Sequence, residues 1–163
     1  PRCADCPLQD ECRAFAEGAV SAIPARKPAK AAPTRQARML VVRDAEGRVL
    51  LERRGGPGVW QGLWSLPEAV DEVAATTLRD ALGADDGTAL PAFVHVFSHY
   101  RLEVRPSLHG VRDGAPSADK PLPASPGIGA GDVASPDRRW IARDDYDSFG
   151  LPRPIRTLLE SLP

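Results

Sequence analysis

The apolar positions of this chain fall into short runs, and most of those runs predict strands rather than helices. Ala37–Arg43 (Ala-Arg-Met-Leu-Val-Val-Arg) and Arg48–Arg54 (Arg-Val-Leu-Leu-Glu-Arg-Arg) read as two strands, and Asp44-Ala-Glu-Gly47 between them has hairpin chemistry. Ala92–Phe97 and Tyr100–Ser107 read as a second pair, with Leu102, Val104 and then Leu108 alternating. Arg138–Ala142, around Trp140, reads as a last strand. Two stretches follow helical spacing instead. Val70–Leu82 sets Val70, Val73, Ala74, Thr77, Leu78, Ala81 and Leu82 on one face, with Gly83 as its C-terminal cap. Pro152–Leu162 turns Ile155, Leu158, Leu159 and Leu162 inward behind a proline near its start. Leu8–Val20 fits a further short helix, and Asp145–Gly150 a turn or short helix. Two hairpins, a central helix and a terminal helix make an α+β sandwich over residues 37–163.

Between the second strand and the central helix the pattern breaks. Gly55-Gly-Pro-Gly-Val-Trp-Gln-Gly-Leu-Trp-Ser-Leu-Pro-Glu68 interleaves glycines and prolines with Val59, Trp60, Leu63, Trp64 and Leu66. Glycine opens backbone angles closed to other residues and proline fixes φ. An ordered loop, pinned by its tryptophans over the end of a sheet, is expected. Trp60, Trp64 and Trp140 read as core or loop anchors because of their large apolar area. His95 and His109 read as structural or solvent-exposed. Two other segments lack periodicity. Prolines exclude a regular helix from residues 21–36, which read as an extended interdomain linker after residues 1–20. Gly110–Pro136, rich in Gly, Pro, Ser and Ala, reads as a mobile insertion.

Composition adds less. An apolar fraction of 42% with mixed charge suits a folded soluble protein, expected in the cytoplasm and as a monomer. No apolar run approaches the roughly 20 residues that span a bilayer. The start, Pro-Arg-Cys-Ala-Asp-Cys, lacks an initiator Met and a signal-peptide core, so an internal start within a longer protein is expected. Net charge is −1, but Arg26, Lys27, Lys30, Arg35, Arg38 and Arg43 follow one another with no acid between them. Such a run is a solvated linker or a contact to a phosphate backbone.

The cysteines change the picture more. Cys3, Cys6 and Cys12 form C-x2-C-x5-C, and the chain has no other cysteine. Three crowded thiols are poor disulfide partners; bunched thiolates suit a soft metal, either zinc or an iron–sulfur cluster. Both need a fourth ligand, and no nearby His, Asp or Glu stands at a persuasive spacing.

Gly62-x5-Glu68-x7-Thr76-Thr77-Leu78-x-Asp80-Ala81-x-Gly83 keeps the spacing of a Nudix box, G-x5-E-x7-R-E-U-x-E-E-x-G-U. That box places several glutamates to bind Mg²⁺ for diphosphate cleavage. Here Thr76 and Thr77 stand where Arg and Glu are expected, and Asp80-Ala81 where Glu-Glu is expected. One carboxylate on the helix is too few, so Glu68 and Asp80 are expected to be capping or surface groups.

A Nudix frame without its metal site, preceded by a linker and C-x2-C-x5-C, resembles the C-terminal part of the adenine DNA glycosylase (MutY) family. Gly58-Val-Trp-Gln-Gly-Leu-Trp-Ser-Leu-Pro-Glu68 is similar to that family's G-[IL]-W-x-G-L-W-x-[FL]-P-E. Phe97-Ser98-His99 matches its F-S-H loop, and Leu151-Pro-Arg-Pro-Ile-Arg-Thr-Leu-Leu its terminal helix. The resemblance implies a Nudix-like α/β/α sandwich preceded by an iron–sulfur loop remnant and a flexible linker. It also implies a 4Fe–4S cluster bound by C-x6-C-x2-C-x5-C, with Cys3, Cys6 and Cys12 as the last three ligands and the first before Pro1.

By this resemblance the partner is double-stranded DNA containing A:8-oxoguanine or A:G mispairs, and the full-length protein is an adenine-specific DNA N-glycosylase of base-excision repair. The base is flipped and excised by acidic residues of an upstream helical domain, so no catalytic residue lies in this chain. Guanine offers N7 as an acceptor. Oxidation at C8 puts a hydrogen on N7, so a reader needs an acceptor there, and a Ser hydroxyl serves. Ser98 stands between Phe97, a wedge or anchor, and His99, a donor toward phosphate or base. Two other functions compete. A divergent Nudix hydrolase of oxidised nucleotides would release pyrophosphate with Mg²⁺, and a zinc-bearing interaction module would hold zinc without iron.

Overall fold

The run Met39-Leu-Val-Val42 is buried on both sides, and the sheet is assembled around it. The computed structural model describes residues 1–25, 32–55, 58–112 and 137–163, in two units, Pro1–Ala31 and Ala32–Pro163. The first unit holds a 3₁₀ turn at Cys3–Asp5 and a short helix α1 at Arg13–Ala16. The helix expected over Leu8–Val20 is thus shortened to four residues. Residues 7–11 form turns instead, and isolated helices this short have little cooperative support.

The second unit runs β1 (Thr34–Arg43), β2 (Val49–Arg53), β3 (Trp64–Ser65), β4 (Glu68–Ala69), α2 (Glu72–Ala81), β5 (Thr88–Ala89), β6 (Phe93–Val96), β7 (Arg101–Gly110) and β8 (Arg138–Ile141), then a 3₁₀ turn at Arg143–Ser148 and α3 (Arg153–Glu160). The sheet is mixed. β1 runs antiparallel to β2 and parallel to β7, in register from Thr34 beside Arg101 to Arg43 beside Gly110. β8 flanks β2, while β6 and β5 pair with successive parts of β7. β1 begins at Thr34, so Thr34, Arg35 and Gln36, expected in the linker, belong to the sheet because β7 offers them parallel partners. Residues 26–31 of the linker and 113–136 of the insertion lie outside the described residues, as do residues 56 and 57 of the Gly/Trp loop.

Strand alternation gives each face its own core. Ala37, Met39, Val41, Val49 and Leu51 join Leu102 and Val104 against Ile155, Leu158 and Leu159 of α3. Leu40, Val42 and Leu50 face Leu78 of α2 and Leu82 at its C-terminal cap. Fully burying a side chain of this kind contributes about 1.5–3 kcal/mol. The architecture is an α+β sandwich with one helix on each face.

Asp71 starts α2, its carboxylate accepting from the Ala74 N–H at 2.8 Å. Gly83, at φ 64°, ends it: the Gly83 N–H donates to Asp80 O and the Ala84 N–H to Arg79 O, the Schellman pattern. The buried stripe is Ala74, Ala75, Leu78, Ala81 and Leu82. Val70, Val73 and Thr77, expected on that stripe, are exposed, Val73 by 77%. Val70 precedes the Asp71 cap and is outside the helix, and Val73 lies about 140° around it from Leu78, off the face that meets the sheet.

Candidate nucleic-acid interface

The turn between β6 and β7 carries Phe97, Ser98, His99 and Tyr100, closed by the Phe97 N–H donating to Tyr100 O at 2.8 Å. Alternation sends Phe93, His95 and Phe97 toward the α3 side, and Phe97 enters a group of rings there. Its centroid lies 4.5 Å from His95, 4.8 Å from Tyr100 and 5.4 Å from Trp60. Phe97 is half-buried and anchors the turn, whereas Ser98 and His99 are exposed at its tip. The Ser98 hydroxyl and His99 Nδ1 are 3.2 Å apart. Tyr100 is buried beneath the guanidinium of Arg35, 4.7 Å from its ring. Burial pushes the Tyr100 phenol above its ordinary pKa; Arg35 opposes that shift, Glu68 adds to it and Arg54 opposes it.

Trp60 reaches this group from the Gly/Trp loop with φ 63°, in the left-handed region that non-glycine residues rarely occupy. Such strain persists only where surrounding contacts over-determine it, and it gathers at functional sites. Its packing on His95 and Phe97 supplies those contacts, at centroid distances of 5.7 Å and 5.4 Å. Trp64 packs edge-on against Phe149 at 5.4 Å. The sequence marked Phe97, Ser98 and His99 but left out Arg35, Tyr100 and the closure by Trp60. The period-two continuation of His95 through Phe97 was the available signal for the ring stack.

The Nudix-box positions carry no shared ion site. Glu68 is 1% exposed and forms an ion pair with Arg54 at 2.6 Å. It is neither a cap nor a surface group, because β4 pairing with β1 carries it inside beside Met39. Asp80 is at the surface as expected, engaged by Arg79 and Arg112. Thr77 returns its hydroxyl to Val73 O at 3.0 Å. His109 is buried, with its ring nitrogens against Ser107 and Asp85 O.

The basic run does not act as one patch. Arg35 covers Tyr100, Arg38 pairs with Glu72 at 2.6 Å, and Arg43 donates to Pro163 O at 2.7 Å. Arg26, Lys27 and Lys30 lie outside the described residues. In the first unit Cys3, Cys6 and Cys12 are free thiols, Cys6 exposed. Among the described residues no three His, Cys, Asp or Glu side chains gather into a group able to hold an ion. Among those residues no helix is long and apolar enough to cross a membrane.

Residues 38–161 match the family model described as NUDIX domain, and the chain belongs to that family. It is 23% identical to the adenine DNA glycosylase of Buchnera aphidicola subsp. Acyrthosiphon pisum (strain APS), over 99% of this chain and 42% of that protein. The chain therefore spans less than half the length of that relative. Its fold is shared with the MutT protein from Methanosarcina mazei Go1, at a TM-score of 0.56 and 14% identity over 81% of this chain and 94% of that one. It is also shared with a MutT NUDIX hydrolase from Burkholderia pseudomallei, at a TM-score of 0.55 and 20% identity over 80% of this chain and 98% of that one.

Proposed function

We propose that this chain is the lesion-reading part of an adenine DNA glycosylase that removes adenine paired with 8-oxoguanine. The observation that carries the reading is 23% identity to such an enzyme along 99% of the chain. The replacement of two box glutamates by Thr77 and Ala81 agrees with it, since Mg²⁺-assisted diphosphate cleavage needs several oxygen ligands on that helix. In this reading double-stranded DNA carrying A:8-oxoguanine or A:G lies against the tip of the β6–β7 turn, and the protein works in the cytoplasm. Ser98 donates its hydroxyl proton to His99 Nδ1 and turns its lone pairs to the N7–H that only the oxidised base has. His99 is then left with Nε2–H for a phosphate oxygen, and Phe97, held by Trp60 and Tyr100, keeps the turn rigid. Base flipping and excision fall to residues of the longer protein. Cys3, Cys6 and Cys12, drawn together with a fourth thiolate from before Pro1, would supply the ligands of a 4Fe–4S cluster.

The test compares Ser98→Ala with the parent, in the full-length glycosylase, on duplexes containing A:8-oxoguanine and A:G. Losing one hydrogen bond should cost about 1 kcal/mol, mainly on the oxidised pair. Equal losses on both pairs overturn the role of Ser98. Release of pyrophosphate from 8-oxo-dGTP with Mg²⁺ by the chain overturns the reading as a whole.

A further inference from the structure

β1 and β7 begin together beneath the β6–β7 turn. Thr34 lies beside Arg101 and Arg35 beside Leu102, and the Arg101 N–H donates to Pro33 O at 2.9 Å. The end of the linker is thereby bonded along the first residues after the turn. Successive side chains of a strand point to opposite faces of the sheet. Arg35 shares the α3 face with Ala37 and Met39, and its guanidinium carbon lies 4.7 Å from the centre of the Tyr100 ring. Arg101 precedes the α3-facing Leu102 and so stands on the α2 face, beside Val96. Both arginines are exposed.

Charge sets these two apart. Elsewhere Arg38 is paired with Glu72, Arg79 with Asp86, Arg105 with Glu103 and Arg156 with Glu160. Among the described residues Arg35 and Arg101 form no ion pair. The acids of the neighbouring strands are engaged already. Glu103, two residues beyond Arg101, accepts from Arg105 at 2.8 Å and from Gln36 at 3.4 Å. Glu68 is buried against Arg54 at 2.6 Å. An exposed guanidinium with no carboxylate keeps its fork of donors for an anion that accepts bonds in pairs, as a phosphate does.

Tyr100 ties Arg35 to the turn. The face of its ring attracts the cation and holds it in place before any anion arrives. The same ring packs on Phe97 and on His99, each at 4.8 Å between centroids. A single side chain therefore separates Arg35 from the tip that carries Ser98 and His99.

We propose that Arg35 and Arg101 hold phosphates of the DNA backbone on the two sides of the β6–β7 turn. The inference rests on the reading of that turn as the part that faces DNA. Phosphate contacts carry no sequence information, but they fix where a protein sits on the duplex. Here they set the turn against the base pair, and the Ser98 hydroxyl then tells oxidised guanine from guanine. Arg35 is in reach only because the end of the linker lies along β7.

Binding of the full-length glycosylase to duplexes, followed by fluorescence anisotropy over a series of salt concentrations, tests this. Two duplexes hold a non-hydrolysable adenosine analogue, opposite 8-oxoguanine or guanine, and a third is fully paired. Arg35→Gln and Arg101→Gln should each weaken all three by a similar factor, about fivefold, and lower the slope of log Kd against log salt by about 1. Arg35→Lys should restore the slope, because it keeps a cation over Tyr100. Arg156→Gln removes a guanidinium already held by Glu160 and should leave the slope unchanged. Ser98→Ala should differ in kind, losing affinity mainly for the oxidised pair at an unaltered slope. The inference is overturned if both arginine variants, with melting curves like the parent's, keep the parent's slope. It is also overturned if Arg35→Gln loses affinity for the oxidised pair alone, since Arg35 would then only support the turn. A parent that still prefers the oxidised pair in either case leaves the role of the turn standing. A parent that binds none of the duplexes overturns both.

Discussion

On the α3 face of the sheet, Met39, Val41, Leu51 and Val104 are sealed under Ile155 and Leu159, and the rings of Trp60, Phe97 and Tyr100 extend that core to the β6–β7 turn. On the α2 face, Leu40, Val42 and Leu50 are covered, but the same sheet then meets water through Arg105, Val94 and Val96. The helices explain the contrast. α3 presents Ile155, Leu158 and Leu159, whereas α2 presents Leu78 among Ala74, Ala75 and Ala81. Alanines bring a helix close to a sheet but cover little of it. A short apolar footprint thus leaves part of the sheet open to water, and a long one makes a rigid platform for an exposed turn.

The sharpest way to break this comparison is to truncate one leucine on each face. Leu159→Ala should cost about 4 kcal/mol and Leu78→Ala about 2–3 kcal/mol in urea unfolding, because the second site lies under a helix better able to collapse into the gap. Equal losses would show that the two faces are packed alike. Next in size is the charge pair on the α3 side. Glu68→Gln should cost about 3 kcal/mol by leaving the largely covered Arg54 opposite a neutral group, while Glu68→Leu combined with Arg54→Met should recover most of that loss. A loss well under 1 kcal/mol for the single change would return Glu68 to the surface role read from the sequence. Smaller again, Asp71→Ala should cost about 1 kcal/mol by leaving the α2 N-terminus uncapped. Hydrogen exchange should then rise in α2 and stay unchanged in α3.

The smallest effect concerns pH. Burial raises the Tyr100 phenol pKa in the folded chain, so the native state holds that proton more tightly than the unfolded one. Stability from this source is fully present below the ordinary phenol pKa and is lost as pH rises from there through the folded value. Tyr146, raised chiefly by burial as well, adds to the same alkaline slope. Tyr100→Phe should flatten the fall of the urea midpoint with rising pH without abolishing it. An unchanged slope would show that the phenol is solvated.

Much of the fold was legible because its signals are local. The Asp44–Gly47 hairpin, the Gly83 cap and the inward set Ile155, Leu158, Leu159 and Leu162 each follow from spacing and from residue-specific backbone preferences. The contiguous Phe97-Ser98-His99 was legible as a candidate for the same reason. Other features were not. Val73 fits a broad apolar arc in the sequence, yet it is exposed because, five residues before Leu78, it lies about 140° around the helix from the side that meets the sheet. Glu68 reads as a surface acid, but pairing with β1 carries it inside, where Arg54 neutralises it.

The sequence by itself determined the kinds of the main elements, the helix end at Gly83, the loss of carboxylates from the box and the candidate turn, since all of these depend on residues within a few positions of one another. Only the tertiary structure decided that β1 lies parallel to β7, that Arg35 covers Tyr100, that Trp60 closes on Phe97, and that Arg35 and Arg101, from paired strands, flank one turn. Those outcomes come from contacts between residues far apart in the chain, whose free energy is realised only when the two cores close together.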